Sequence, residues 1–245
     1  MEDKEKLWTK DFVLVIIINF LVFLNHLMIL STFPFFIERL GYSDTVSGAC
    51  ATAFSLVAVL ARPFVGWLLD TGRRRVLLGV GLIGMALMPM GYLLIYTALA
   101  SLALAILLRM VHGLSLACAN TSTSTMATDI LPRSRFSEGM GMFGMATALA
   151  TACAPAIGEA LMKRGFGALF GVAAGCMVLS LVLLFCLRTK PLPRIKKSLR
   201  PGDLVEPSPL PASVVVLIFL LTYGALENYI LKFAAAQPGI TVSGG

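Results

Sequence analysis

The chain has 245 residues, of which 58% are hydrophobic and only 13% charged, whereas soluble domains carry about 25% charged residues. That balance argues against a water-soluble fold, and runs such as Phe12 to Leu24 lack the two-residue alternation of barrel strands, which leaves helices as the spanning form. The formal net charge of +7 does not point to nucleic acid, because the basic residues lie in short segments between apolar runs and not on one soluble face.

The first ten residues mix both signs before an apolar-rich run too long for a cleaved signal peptide, so the first helix is expected to remain in the mature protein. That run predicts span 1 near Phe12 to Ile37. It carries the intramembrane polar residues Asn19, Asn25 and His26, and a helix wheel puts Asn19 and His26 only about 20° apart. Both then face the interior. His26 is a candidate for a proton-coupled step, since an unperturbed histidine titrates at a pKa of about 6.5; the alternative is a hydrogen bond to another helix.

Span 2 is predicted near Val46 to Leu69. Its Arg62 stands about seven residues from the inner end and can snorkel to the interface, so it is assigned no transport role. Next comes Gly66-Trp-Leu-Leu-Asp70-Thr-Gly72-Arg73-Arg74-Arg75. Here Gly66 permits close helix contact, Asp70 can cap the incoming helix and the arginines hold the segment in the cytoplasm. On its own the segment is a topogenic basic cluster.

Span 3 follows near Val76 to Leu94 and span 4 near Ala100 to Ile130. Span 4 contains Arg109-Met-Val-His112-Gly113-Leu-Ser115-Leu-Ala117 and ends beside Asp129. Arg109 lies roughly nine residues, about 14 Å, from the outer end, where a charge costs at least about 2.5 to 3.5 kcal/mol on insertion scales. It should therefore face a polar interior. His112, Gly113, Asn120, Thr123 and Ser124 fall within about 60° of it on the wheel. This polar stripe is read as cavity lining, against an alternative in which Arg109 ties to helix-end carbonyls and the hydroxyls bond their own backbone.

Span 5, near Gly139 to Met162, holds Gly144 and then Ala154-Pro155-Ala-Ile-Gly158-Glu159. Small residues with one proline describe a kinked, closely packed helix. Span 6 runs near Phe166 to Leu187. Residues 188–211 are rich in proline (Pro191, Pro193, Pro201, Pro207, Pro209, Pro211) and in basic residues, which predicts a cytoplasmic linker between two bundles. Span 7, near Ala212 to Leu231, carries Glu227 and Asn228 and is followed by a polar tail to Gly245.

The basic residues orient these spans. Lys4, Lys6 and Lys10, Arg73 to Arg75, Arg133 and Arg135, and six more from Arg188 to Arg200 fall on one side, whereas the other side holds Arg39, Lys163, Arg164 and Lys232. The positive-inside rule then makes the amino terminus cytoplasmic. All five cysteines (Cys50, Cys118, Cys153, Cys176 and Cys186) fall within predicted spans without metal-ligand or disulfide spacing, so they are read as packing residues, and no metal or cofactor is expected. There is no His-Glu-x-x-His and no Gly-x-Ser-x-Gly, and an enzyme is not the expected reading.

The three segments, in order and in place, resemble signatures of the major facilitator superfamily. Gly66 to Arg75 is similar to its Gly-x-x-x-Asp-x-x-Gly-Arg-[Lys/Arg] loop, with one residue instead of two between Asp70 and Gly72, so that Arg73 or Arg74 takes the arginine place. Arg109 to Ala117 resembles Arg-x-x-Gln-Gly-x-Gly/Ser-x-Ala, with His112 for the glutamine. Ala154 to Gly158 resembles the Gly-Pro-x-x-Gly signature of the antiporters, with Ala154 for the first glycine. The resemblance covers essentially Met1 to Arg200, with span 7 opening a second bundle.

What the resemblance implies is an all-α membrane protein: a six-helix amino-terminal bundle of two three-helix inverted repeats (residues 1–187), a linker (188–211), and the first helix of the second bundle with its tail (212–245). The chain is expected to be truncated relative to a twelve-span carrier. The implied loop group is Gly66, Asp70, Gly72, Arg73 and Arg74 with Asp129 as partner; the implied pathway group is Asn19, His26, Arg109, His112, Asn120 and Thr123; and the antiporter-like group is Gly144, Ala154, Pro155 and Gly158. The implied function is proton-coupled export of small organic or drug-like molecules from the cell (plasma or inner) membrane, with the lipid bilayer, the cargo, protons and the missing carboxy-terminal half as partners. The rivals are an uptake carrier of the same fold and an inactive or partner-dependent fragment. No Asp or Glu lies in the middle of spans 1 to 6, so an acidic proton site is not expected in this half.

Overall fold

The structure, a computed structural model, describes residues 6–99, 101–188 and 210–235. The expected linker, apart from its two ends, and the polar tail lie outside these residues. Seven helices occur among them, and no strand: α1 Lys10–Arg39, α2 Asp44–Asp70, α3 Arg74–Leu94, α4 Leu102–Ile130, α5 Phe136–Met162, α6 Phe166–Cys186 and α7 Leu210–Ala235. All seven coincide with predicted spans to within a few residues. A π-helical turn, Ile95–Leu99, prolongs α3, and a 3-10 turn, Arg133–Arg135, leads into α5.

The first six helices are each long and apolar enough to cross a membrane. A helix is favoured there because it satisfies its backbone internally, and prolines at positions 34, 63, 89 and 155 sit inside helices that continue through them. Local chemistry places the ends. The Thr9 hydroxyl accepts from the Phe12 amide at 3.2 Å and the Ser101 hydroxyl from Leu104 at 3.5 Å, each at a helix start. Gly72 and Gly165 take the left-handed backbone at the α2–α3 and α5–α6 turns, with φ of 81° and 108°.

The helices pack in a pattern with internal symmetry. α1 lies against α5 and α6, and α4 lies against α2 and α3; α1 meets α4, and α3 meets α6. Exchanging α1 with α4, α2 with α5 and α3 with α6 leaves this set of neighbours unchanged, as expected of two three-helix repeats. α7 packs on α1, and the Tyr229 hydroxyl approaches α2 at Gly48.

Close contacts use small residues, as the absence of a hydrophobic drive between helices in lipid requires. A Cβ on Gly113 would run into the Phe54 carbonyl of α2, one on Gly81 would lie 2.6 Å from the Ala119 nitrogen of α4, and one on Gly158 would sit 3.1 Å from the Met28 carbonyl of α1. Two expectations of this kind fail. Gly66 and Gly144 have nothing within 4 Å of a would-be Cβ; α2 and α5 bury little of their length, and Gly66 is only half-buried and Gly144 exposed.

Candidate functional site

The expected residues assemble at three levels. At the end of the bundle where α1, α3 and α5 begin, Arg74 pairs with Asp129. Asp70 acts electrostatically on the same guanidinium. Thus Arg74, four residues after Asp70, takes the arginine place, while Arg73 is exposed at the start of α3 and has no such pair among the described residues. Asp70 does not cap α3: no side chain caps that helix, whose preceding residue is Arg73. α2 runs on through Asp70, three residues before the cap position, so its carboxylate cannot reach the first free amides. At the same end Arg75 donates to the Phe185 carbonyl at 3.2 Å, and the Arg188 amide donates to Asp11 at 3.0 Å.

One level further in, fully buried Asn19 of α1 donates to Thr147 of α5 at 2.9 Å and accepts from Thr123 of α4 at 3.3 Å. This knot joins three helices. Asn120 stands half-buried one turn before Thr123, and its carbonyl accepts from the Thr123 hydroxyl at 3.0 Å. Elsewhere on α4 the hydroxyls of Ser115, Thr125 and Thr128 bond to carbonyls of their own helix, which is how a transmembrane helix commonly satisfies them. The stripe is therefore mixed, with some members bridging helices and others satisfied locally.

The third level holds Arg109, His112 and His26, and it separates His26 from Asn19 despite their shared wheel position. Arg109 is fully buried, seven residues after the start of α4. It does not line an open cavity. Its guanidinium carbon lies 3.8 Å from the Phe33 ring centroid and 5.1 Å from that of Phe54. His26 stacks on Phe54 with centroids 5.0 Å apart, and the His112 ring meets Phe54 edge-on at 5.5 Å. The Tyr92 hydroxyl lies 3.1 Å from His112 Nδ1. Tyr92 and Cys50 act electrostatically on Arg109, and the Tyr92 hydroxyl also stands close enough to act on it as an acceptor, yet none of the Arg109 nitrogens makes a hydrogen bond of good geometry, nor do His112 Nε2 and His26 Nδ1.

Magnitudes show what this arrangement leaves undone. A desolvated cation–π contact contributes about 2 kcal/mol, so two of them can offset an insertion cost of about 2.5 to 3.5 kcal/mol. They act on the face of the guanidinium. Its N–H groups point from the edge, and each buried unsatisfied donor costs roughly 1 to 3 kcal/mol. Phe33, Phe54, Tyr92 and Thr147 were not singled out from the sequence, and Cys50 was read there only as a packing residue. Only Phe33 had a signal: it stands seven residues after His26, on the same face of α1.

In α5, Ala154 is fully buried, Pro155 is half-buried within the continuous helix, and Gly158 packs on Met28 and on Thr32, whose methyl would lie 3.3 Å from an added Cβ. The antiporter-like segment is thus the contact surface of α5 with α1, and Gly144 stands apart from it. No group of three or more potential metal ligands occurs among the described residues.

Six apolar spanning helices in two repeats, with charge paired at one end and a buried cation in the interior, define a multi-pass membrane protein of the carrier type. The chain belongs to the Major Facilitator Superfamily, whose family profile matches residues 15–245, and is accordingly a membrane transporter. A search of curated proteins found no match.

Proposed function

We propose that this chain forms the first bundle, with the opening helix of the second, of a proton-coupled exporter of small organic molecules that works by alternating access. The observation that carries the reading is the Arg74–Asp129 pair, which ties the α2–α3 segment to the end of α4. A charged tie that forms at one end of a bundle and breaks when that end opens is a two-state element of the kind alternating access needs. Export is favoured by the seating of Ala154, Pro155 and Gly158 against α1, together with the likeness of that segment to antiporters. His26 and Arg109 are the proposed proton and cargo pathway, with His112, Asn120 and Thr123 beside it and Asn19 holding α1 to α4 and α5.

In this reading the amino terminus is cytoplasmic, the membrane is the plasma or inner membrane, residues 188–211 link two bundles, and a second bundle is required for transport. The chain is a carrier and not an enzyme. The test reconstitutes the full-length carrier in vesicles and imposes a pH gradient. Flux of a cationic dye or small drug should follow the gradient and fall at least about tenfold in Arg109→Ala, the scale of losing one charge-assisted contact. Flux indifferent to the gradient rejects proton coupling, and unchanged flux in the variant removes Arg109 from the pathway.

A further inference from the structure

We infer that Arg109, His112 and His26 form a binding site for a single small monovalent anion, a carboxylate or a halide. The inference deepens the pathway proposed above by giving its buried end a ligand class.

Arg109, His26 and His112 gather around the Phe54 ring with polar atoms left over. Arg109 Nε, Nη1 and Nη2, His112 Nε2 and His26 Nδ1 are all buried without a hydrogen bond of good geometry, in a cluster closed by Phe33, Phe54 and Tyr92, and the Tyr92 hydroxyl is the one neutral acceptor that acts on the guanidinium among the described residues. Phe33 covers the face of the guanidinium, which leaves its edge, the part that grips an oxyanion through two parallel N–H groups. No acid of this chain's first six helices can meet that edge. Their carboxylates, Asp11, Glu38, Asp44, Asp70, Asp129, Glu138 and Glu159, all stand in the first or last turns.

The environment also sets the charge and size of the ligand. One guanidinium balances one negative charge, and a dianion would leave an uncompensated charge among aromatic rings, where desolvation is costly. Both Arg109 and His112 are fully buried, which restricts the ligand to an ion or to the acid group of a larger molecule. Tyr92 sets the tautomer: if its hydroxyl donates to His112 Nδ1, the proton of the neutral ring stands on Nε2 and becomes one more donor to the anion. The aromatic walls suit a carboxylate with an apolar body better than a strongly hydrated oxyanion.

The experiment measures binding and not flux, so it stands or falls separately from export. Purified protein in detergent, at fixed ionic strength set with sodium sulfate, is titrated with chloride, bromide, acetate and benzoate while thermal unfolding is followed. A saturable rise in Tm is expected with at least one monoanion. Saturation by carboxylates alone assigns the site to the acid group of the cargo, and saturation by halides as well assigns it to a free ion; both support the inference. Arg109→Lys keeps the charge without the fork and should weaken the saturable binding about ten- to a hundredfold, the effect of losing one charged hydrogen bond. Tyr92→Phe, which keeps the ring, should weaken it severalfold. A non-saturable response, one shared equally with sulfate, or the same affinity in Arg109→Lys overturns the inference.

Discussion

At the scale of single residues, glycines divide sharply by what surrounds them. Gly158 is pressed against the backbone of α1, whereas Gly144, in the same helix and part of the same sequence signature, touches nothing within 4 Å of its would-be Cβ. Gly158→Val should therefore cost about 1 to 3 kcal/mol through overpacking or separation of α1 from α5. Gly144→Val should change stability by less than about 0.5 kcal/mol, as expected of a surface position. Reversible unfolding in mixed micelles measures both, and equal effects of the two would contradict the α1–α5 contact. The sequence marks both positions as small. It does not say which is covered, because the helix wheel gives a direction from the axis and not the distance to a neighbour. The same limit explains Gly66, whose expected contact is missing.

At the scale of elements, the link between the α2–α3 turn and the end of α4 rests on one ion pair. The side chains of Arg74 and Asp129 are 18% and 27% exposed, so solvent screens their attraction and the pair should couple by only about 0.5 to 1 kcal/mol in a double-mutant cycle of stability. Its proposed weight is kinetic. Asp129→Asn should leave Tm within a few degrees while slowing flux of the full-length carrier severalfold, and Arg74→Asp combined with Asp129→Arg should recover part of that loss. Recovery by Arg73→Asp in place of Arg74→Asp would transfer the partner role to the neighbouring arginine. The spacing from Asp70 and the position in the tripeptide gave two candidates for that role, and the structure selects Arg74 because the start of α3 turns it toward α4. Asp70, meanwhile, belongs to α2. The last turn of α2 holds it three residues before the cap position of α3 and out of capping range, an effect visible only once that turn is placed.

At the scale of the whole molecule, the six spanning helices and their alternation place Arg73 and Lys163 at opposite ends of the bundle, and both residues are exposed. In a background without the five native cysteines, Arg73→Cys in intact cells should resist an impermeant maleimide that labels Lys163→Cys. Labelling of both from outside would invalidate the proposed topology. The spans themselves were legible from residue order alone, because lipid admits only segments long and apolar enough to cross it with their backbone satisfied. Positions such as Phe12, Phe166 and Leu187 mark helix ends within a few residues for that reason. The two-repeat packing and the Arg109 cluster are of another kind. Phe33, Phe54, Tyr92 and Arg109 come from four helices and resemble any other apolar or basic residues of their spans; they meet because of how the helices cross. Solvation by lipid acts on each segment separately and can be read locally, whereas the pairing of side chains depends on the relative rotation and depth of helices far apart in sequence, which only their mutual packing decides.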